Sequence, residues 1–220
     1  MKKIAVISDI HSNMPALSAV FRHIEKEQVD EVICAGDIVG YNAMPNEVIE
    51  LLREKNVISI AGNHDSSAVT GNYERMNSLA ARALELNVSA TSSENFRYLR
   101  ELKQNARLDG IAVFHGSPFD PDEYVYEDMA DAKIIEASGK QLTVLGHTHI
   151  PYVKRIGKMT VMNPGSVGQP RDGDARASFA IIDGDSIEIR RTHYDIDSIF
   201  RENMKSGIPL PLSERLRWGV

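Results

Sequence analysis

The sequence predicts an α/β fold in which parallel strands alternate with helices and antiparallel hairpins follow. Three short apolar runs, at residues 3–8, 31–35 and 57–61, each lead into a polar loop, and amphipathic segments lie between them. Alternation of buried strands and helices at this spacing is typical of βαβ units, whose strands pair in parallel. Beyond Pro151, short alternating runs are joined by Gly-Lys and Asp-Gly-Asp turns, which predict antiparallel hairpins.

The longer predicted helices follow from prolines, caps and apolar periodicity. Pro15 and Pro45 each suit the first turn of a helix, and apolar residues recur at helical spacing after both. Residues 72–104 predict two more helices, the second of which begins with a capping box at Thr91 and Glu94.

The remaining predicted elements are shorter. Residues 111–114 and 142–145 predict buried strands, with a helix at 131–138 between them. The tail at 207–220 predicts a strap or a short helix. Its apolar part, residues 208–212, could pair two chains into a homo-oligomer or pack on its own domain, and both alternatives stay open at this point.

The composition limits the class of protein. A chain of 220 residues suits one domain spanning 1–220. The net charge of −6 offers no broad basic face, so neither stable nucleic-acid binding nor binding to an anionic membrane is expected. The one cysteine, Cys34, excludes an internal disulfide framework and a multi-cysteine zinc site. Neither a signal peptide nor a segment of membrane-span length is recognisable, so a soluble, cytoplasmic protein is expected.

Polar residues follow almost every predicted parallel strand at its carboxyl end. They are Asp9 and His11 after the first strand, Asp37 after the second, Asn63, His64 and Asp65 after the third, His115 after the strand at 111–114, and His147 and His149 after that at 142–145. Five of the seven histidines of the chain stand here. Because the carboxyl ends of parallel strands meet at one edge of a sheet, we expect these residues to form one site.

The residue types at this edge suit divalent metal ions. Seven are candidate ligands: Asp9, His11, Asp37, Asn63, His115, His147 and His149. Carboxylates, an amide oxygen and imidazoles, without a thiolate, suit ions such as Mn²⁺, Fe or Zn²⁺. Seven ligands suit two ions about 3.5–4 Å apart that share one carboxylate, for which Asp37 is the natural bridge. Between Asp9 and His11 the chain is expected to be extended, so that both side chains point the same way.

Each motif alone also fits a helix cap or a turn, but the five in order resemble the signature of the calcineurin-like metallophosphoesterase superfamily. They stand here as DIH, GDIVGY, GNHD, HG and GHTH, spread over residues 9–149. Residues 163–172, NPGSVGQPRD, are similar to the small bacterial and archaeal phosphodiesterase branch. The resemblance implies a four-layer αββα sandwich of two facing mixed β-sheets flanked by helices, with the strands after Pro151 in the second sheet.

The resemblance also implies how the ligands are shared and which reaction they serve. Asp9, His11, Asp37 and His149 would hold one ion, and Asp37, Asn63, His115 and His147 the other. Mn²⁺ is the expected metal, with Fe, Zn²⁺ and Ni²⁺ as alternatives. A hydroxide bridging the ions would attack phosphorus in line, and His64, outside the ligand set, would protonate the leaving group as general acid.

Phosphoprotein phosphatases of this superfamily carry GDxxDR, in which the second Asp orients the acid histidine and the Arg grips phosphate. Gly40 and Tyr41 stand at those positions here. Arg171 could supply the positive charge from another loop or be a surface turn residue. Asn13 could reach the substrate or only start the first helix, and Asp65 could act in the site or cap a helix.

The sequence therefore predicts a dinuclear metal-dependent phosphoesterase that hydrolyses phosphodiester bonds of a small substrate. The alternatives with the same site are a phosphoprotein phosphatase and a hydrolase of dinucleoside polyphosphates. A third alternative is a non-catalytic scaffold, as in a relative from the retromer coat whose metal-site motif is altered. The intact ligand positions and His64 count against that alternative.

Overall fold

The computed structural model describes residues 2–220, in which helices and strands alternate along most of the chain. The strands are β1 (Lys3–Ile7), β2 (Glu31–Cys34), β3 (Ile58–Ser59), β4 (Asn105–Arg107), β5 (Ile111–Phe114), β6 (Leu142–Val144), β7 (Tyr152–Ile156), β8 (Met159–Asn163), β9 (Ala177–Asp183) and β10 (Ser186–Thr192). The helices are α1 (Met14–Glu27), α2 (Pro45–Glu54), α3 (Asn63–Thr70), α4 (Ser78–Ala90), α5 (Ser93–Glu101), α6 (Ala132–Ser138), α7 (Ile196–Lys205) and α8 (Leu210–Arg215).

The strands form two mixed sheets of five strands each within the described residues. The first sheet has the order β10-β9-β1-β2-β3, and the second has the order β4-β5-β6-β8-β7. In the first, β1, β2 and β3 are parallel and β9 and β10 are antiparallel. In the second, β5, β6 and β8 are parallel, and β4 and β7 are antiparallel edge strands.

Three hydrophobic clusters separate four layers. The outermost cluster packs α1 and α2 on the first sheet and includes Leu17, Leu52 and Ile7. The central one joins the two sheets, and the last packs α6 on the far face of the second sheet. Successive residues of β1 alternate between the first two clusters, because strand side chains point to opposite faces. Because β1 is buried on both faces, its sequence after Lys3 is an unbroken apolar run. The order of clusters and sheets confirms the predicted αββα sandwich.

The strands after Pro151 are divided between the two sheets, so their prediction as one group in the second sheet was wrong. β7 and β8 form a hairpin in the second sheet, as predicted. The next hairpin, β9–β10, pairs antiparallel with β1 in the first sheet, with Ala5 opposite Ile181. A hairpin's own sequence specifies its internal pairing but not the sheet edge that accepts it. The connection from β8 to β9 consequently crosses between the sheets at the carboxyl end of β1.

Several local features differ from the sequence prediction. Helix α5 is capped by Ser92, whose hydroxyl accepts from the N–H of Asn95, whereas the predicted cap Thr91 instead donates to the carbonyl of Asn87. Helices α3 and α7 and strand β4 were not predicted. Helix α3 begins at Asn63, inside the GNHD motif, directly after Gly62. The glycine at the start of the motif is more typical of a loop than of a helix start.

The C-terminal tail contains the short helix α8, which is one of the two predicted alternatives. Its apolar residues pack on the same chain: Ile208 and Leu212 are buried against Tyr41, Ala80 and Ala83. No helix within residues 2–220 is both long enough and apolar enough to cross a membrane.

Contacts between the sheets should dominate the stability of the fold. Ile33 is fully buried in the central cluster, whereas Ile187, on the edge strand β10, is only partly buried against it. We expect Ile33→Ala to lower the free energy of unfolding by about 2–5 kcal/mol, because a cavity remains between the sheets. The control Ile187→Ala should cost clearly less. Urea unfolding of both variants measures this, and equal losses would contradict the central role of the cluster.

Candidate metal centre

The carboxyl ends of strands from both sheets bring the predicted ligands together. Six of the seven are buried: Asp9, His11, Asp37, His115, His147 and His149. The seventh, Asn63, is partly exposed at the start of α3. Residues up to 140 positions apart in the sequence thus share one cavity because parallel strands end at the same edge.

One group of potential ligands consists of Asp9, His11, Asp37 and His149, whose ligand atoms all lie within 4.8 Å of one another. His11 Nε2 lies 3.1 Å from His149 Nε2 and 3.6 Å from Asp37 Oδ2. His149 Nε2 lies 3.3 Å from Asp9 Oδ1. Four potential ligand atoms this close together could hold one ion.

A second group consists of Asp37, His115 and His147, again within 4.8 Å of one another. His115 Nε2 lies 3.4 Å from Asp37 Oδ2 and 3.1 Å from Asn63 Oδ1, which adds the amide oxygen to the group. Asp37 Oδ2 therefore faces both groups. Its other oxygen accepts a hydrogen bond from the N–H of His64, which fixes the carboxylate in this orientation.

Backbone carbonyls fix the tautomers of the histidines. Nδ1 of His11, His115 and His149 faces the carbonyl oxygens of Val39, Ala35 and Gln169 respectively. A carbonyl can only accept, so each Nδ1 carries a proton, and Nε2 is the nitrogen that faces the site. His147 is reversed: its Nε2 donates to the carbonyl of Asp122, which leaves Nδ1 for the site.

The electrostatics of the cavity fit bound cations. Burial lowers the pKa of His11 and of His149, so both are neutral and their Nε2 lone pairs face each other and two carboxylates. Asp9 Oδ1 is buried without a hydrogen-bond partner. Burial alone would lower the pKa of His115, but the carboxylates of Asp37 and Asp9 raise this pKa to about 10. A cation bound there would replace that proton, as metal binding to histidine generally does.

The backbone is strained at most of these residues. Five have a left-handed conformation: Asp9 (φ 53°), His11 (48°), Asp37 (53°), His147 (66°) and His149 (61°). The expected extended chain between Asp9 and His11 is therefore wrong. A tight turn brings both side chains to the site, held by hydrogen bonds from their N–H groups to the carbonyls of Gly36 and Asp37. Left-handed backbone costs about 1–2 kcal/mol per residue, and such strain concentrates at functional sites.

His64 lies beside the first group without belonging to it. Its buried ring is 4.7 Å from that of His11, and its Nδ1 has no hydrogen-bond partner. A Cβ atom on Gly40 would lie 2.3 Å from this Nδ1, so the glycine makes room for the ring. Burial lowers the pKa of His64 to about 4. No carboxylate orients this imidazole, which agrees with the missing second Asp of the GDxxDR motif.

Two of the uncertain residues have structural partners. The carboxylate of Asp65 accepts from the N–H groups of Gly62, Ile38 and Val39, which ties the start of α3 to the Asp37 loop. Asn13 caps α1: its amide oxygen accepts from Ala16, and its amide nitrogen donates to the Gly168 carbonyl. Both side chains thus serve as caps, one of the two roles considered for each.

Arg171 is half-buried and reaches the site through Tyr41. Its Nη2 donates to the Tyr41 hydroxyl at 3.0 Å, and its guanidinium carbon lies 5.6 Å from the centre of that ring. The Tyr41 ring in turn lies 4.5 Å from that of His11 and 4.7 Å from that of His64. Tyr41 occupies the position of the missing family Arg, so Arg171 brings a cation to the same side of the site from a different loop.

The connection from β8 to β9 forms the floor of the site. Residues 164–170 are buried, and the N–H of Gly168 and the hydroxyl of Ser166 both donate to the carbonyl of Asp9. Gln169 supplies the carbonyl that orients His149. A Cβ atom on Gly168 would lie 1.8 Å from the Ile10 carbonyl oxygen, so only glycine fits there.

Sequence reasoning did not predict the contacts that some of these neighbours make. The similarity of residues 163–172 to a family branch drew attention to the floor loop, but it did not predict the contacts that this loop makes. Tyr124, whose ring lies 4.0 Å from that of His147, follows no motif, and it is 43% exposed at the rim of the site. An aromatic residue in an exposed loop gives no periodic signal that would place it.

Comparison with known proteins agrees with this geometry. The sequence model of the calcineurin-like phosphoesterase superfamily domain matches residues 1–186. An uncharacterized protein from Methanocaldococcus jannaschii is 36% identical, with 98% of each chain covered. The phosphodiesterase YfcE of Escherichia coli is 27% identical over 86% of this chain and 91% of its own. The crystal structure of a metallophosphoesterase from Sphaerobacter thermophilus superposes with a TM-score of 0.88 at 33% identity, covering 100% of this chain and 99% of that one.

The predicted resemblance is thereby confirmed, because the family match covers most of the chain and includes every motif from DIH to GHTH. The chain belongs to the calcineurin-like phosphoesterase superfamily and is a hydrolase of phosphoester bonds.

Proposed function

We propose that the protein is a dinuclear metal-dependent phosphodiesterase that acts on small phosphodiesters. The observation that carries the proposal is the position of Asp37, whose Oδ2 lies 3.6 Å from His11 Nε2 in one ligand group and 3.4 Å from His115 Nε2 in the other. One carboxylate oxygen facing two sets of ligands is typical of two-metal sites. Similarity to the E. coli phosphodiesterase favours a diester substrate.

Each of the two ligand groups described above would hold one ion. Asp9, His11, Asp37 and His149 would hold one ion, and Asp37, Asn63, His115 and His147 the other. When bound, such ions supply Lewis acidity that lowers the pKa of a coordinated water and neutralises charge on phosphoryl oxygens. The mixture of imidazole, carboxylate and amide ligands suits Mn²⁺, with Fe, Zn²⁺ or Ni²⁺ as alternatives.

His64 is the proposed general acid. It is neutral in the free site because burial lowers its pKa to about 4. A phosphodiester anion beside the ring would favour the protonated form, because an opposite charge within a few ångströms raises the pKa of an imidazole. The buried Nδ1 faces Gly40, so the other ring nitrogen, Nε2, is the proposed donor to a leaving oxygen, and no hydrogen-bonded carboxylate within the described residues fixes the ring.

Arg171 is the proposed phosphate-binding cation. Its hydrogen bond to Tyr41 holds it on the side of the site where His64 lies. A guanidinium donates two parallel hydrogen bonds to phosphate oxygens, which suits it to hold a nonbridging oxygen pair during attack. Asn13 is not part of this proposal, because both groups of its amide are occupied in capping α1 and bonding to Gly168.

The metal requirement can be measured directly. Protein stripped with EDTA should not hydrolyse bis(p-nitrophenyl) phosphate, and adding Mn²⁺ should restore turnover, because the ligands hold no other electrophile. Asp37→Asn, which removes the shared charge, should remain inactive with added Mn²⁺. Folded wild-type protein without metal-dependent turnover on any phosphoester would contradict the enzyme proposal and favour a scaffold.

The role of His64 predicts a dependence on the leaving group. His64→Ala should slow hydrolysis of alkyl phosphodiesters by about 10²–10⁴-fold, because a poor leaving group needs a proton. Nitrophenyl diesters, whose leaving groups are stable anions, should lose much less. His23→Ala, a change on the partly exposed face of α1, is the matched control. Equal losses on both substrates would argue against an acid role.

Metal analysis tests the division of ligands. At limiting Mn²⁺, His147→Ala and His149→Ala should each retain about one of two ions, because each removes a ligand from a different group. The double variant should retain neither. The exposed His193, changed to Ala, is the control and should bind like wild type. If the double variant keeps as much metal as the single ones, both histidines serve the same ion and the division is wrong.

A further inference from the structure

The C-terminal segment, defined here as residues 196–220, lies beyond the residues 1–186 that match the family. It comprises α7, the linker 206–209, α8 and the last five residues. None of its residues belongs to either ligand group, yet it reaches the site by three separate routes.

The first route is a chain of amide hydrogen bonds to a metal ligand. Asn203, fully buried on α7, donates to the side-chain oxygen of Asn42 at 2.9 Å and also lies 3.0 Å from the Ser213 hydroxyl of α8. Asn42 in turn donates to the backbone carbonyl of His11 at 2.9 Å. The segment is thereby connected, through Asn42, to the strained turn that carries Asp9 and His11.

The second route is apolar packing on Tyr41. Ile208 and Leu212 are buried in the same cluster as this ring. Tyr41 has a left-handed backbone (φ 48°), so its position is not favoured locally. The packing fixes the ring that accepts the hydrogen bond from Arg171.

The third route holds the loop that carries Arg171. The N–H of Gly173 donates to the Gly219 carbonyl at 2.9 Å. A Cβ atom on Gly219 would lie 2.6–2.8 Å from backbone atoms of Asp174, and the φ of Gly219 is +67°. The side chains of Asp172 and Asp174 form ion pairs with Arg191 and Arg176. The contacts of Gly219 are therefore with the backbone of this loop and not with its carboxylates.

We propose that residues 196–220 form a positioning segment that fixes Tyr41 and the Arg171 loop and so sets the affinity of the site for the phosphoryl group. This rests on the proposed role of Arg171 as the phosphate-binding cation. Arg171 lies on a loop with exposed glycine and aspartate neighbours, and its side chain would otherwise lose freedom only when substrate binds. Packing Tyr41 and closing the loop with Gly219 orders the guanidinium before the substrate arrives.

The test uses Gly219→Ala in the 220-residue, Mn²⁺-loaded protein. The added methyl should displace the chain end from Asp174 and release the Arg171 loop. Calorimetric titration with inorganic phosphate should show weaker binding by about 10- to 100-fold, the loss expected when a charge-assisted hydrogen bond to the phosphate is broken. KM for bis(p-nitrophenyl) phosphate should rise with it, while the bound metal stays at the wild-type level.

Two comparisons separate positioning from a general loss of structure. Gly157→Ala is the matched control, because Gly157 also has a positive φ (+63°) but no atom within 4 Å of the added methyl. It should bind phosphate like wild type. Arg171→Ala should weaken phosphate binding at least as much as Gly219→Ala, and the double variant should be no weaker than Arg171→Ala alone, because the segment acts through Arg171.

Each outcome decides one question. Phosphate affinity that is unchanged in Gly219→Ala but reduced in Arg171→Ala overturns the positioning role and leaves Arg171 as the phosphate-binding residue. The positioning role is also overturned if the Gly219→Ala and Arg171→Ala double variant binds phosphate more weakly than Arg171→Ala alone, by the factor that Gly219→Ala costs by itself. Unchanged affinity in Arg171→Ala overturns the assignment of Arg171 and the positioning proposal together. The phosphate titration does not depend on turnover, so it decides the positioning role even if the phosphodiesterase proposal fails.

Discussion

The structure is organised around three buried acceptors, on His11, His149 and Asp9, that face one another without a donor between them in the described residues. The Nε2 atoms of His11 and His149 lie 3.1 Å apart with their protons on the opposite nitrogens, and Asp9 Oδ1 has no partner. Removing carboxylates and imidazole lone pairs from water is unfavourable unless positive charge compensates. Cations satisfy this constraint, and the carbonyls of Val39 and Gln169 keep the protons of His11 and His149 on the nitrogens that face away from the cavity. The same buried acceptors that shape the cavity would therefore also favour the binding of cations.

Backbone strain accompanies this arrangement and is held by neighbouring loops. The turn at Asp9 and His11 hydrogen-bonds to the Asp37 loop, and Asp65 holds that loop from the other side. The floor loop bonds to the carbonyl of Asp9. Each strained ligand is thus stabilised by residues from a different part of the chain. Side chains held in place before a ligand binds lose less conformational freedom on binding, which lowers the entropic cost of forming a site.

The convergence of the candidate ligands could be predicted from the sequence because strand ends are local signals and parallel strands end together. Asp9, Asp37 and His149 each follow an apolar run, and the topology brings them to one place. The left-handed turn at Asp9 could not be predicted, because it depends on hydrogen bonds to residues 36–38. The contact between Arg171 and Tyr41 joins residues 130 positions apart without any periodic pattern. The position of β9 beside β1 likewise depends on which sheet edge is free, and a hairpin sequence carries no such information.

The crossing from the second sheet to the first has a consequence for folding. β1 lies between β2 and β9, and its pairing with β9 joins residues such as Val6 and Ala180. The loop that supports Asp9 and orients His149 is the same segment that leads into β9. Closing so long a stretch of chain is slow compared with forming local helices and hairpins. During synthesis the first 160 residues can therefore emerge with every candidate ligand present and still lack the floor of the site, so the complete cavity arises only when the last strands dock.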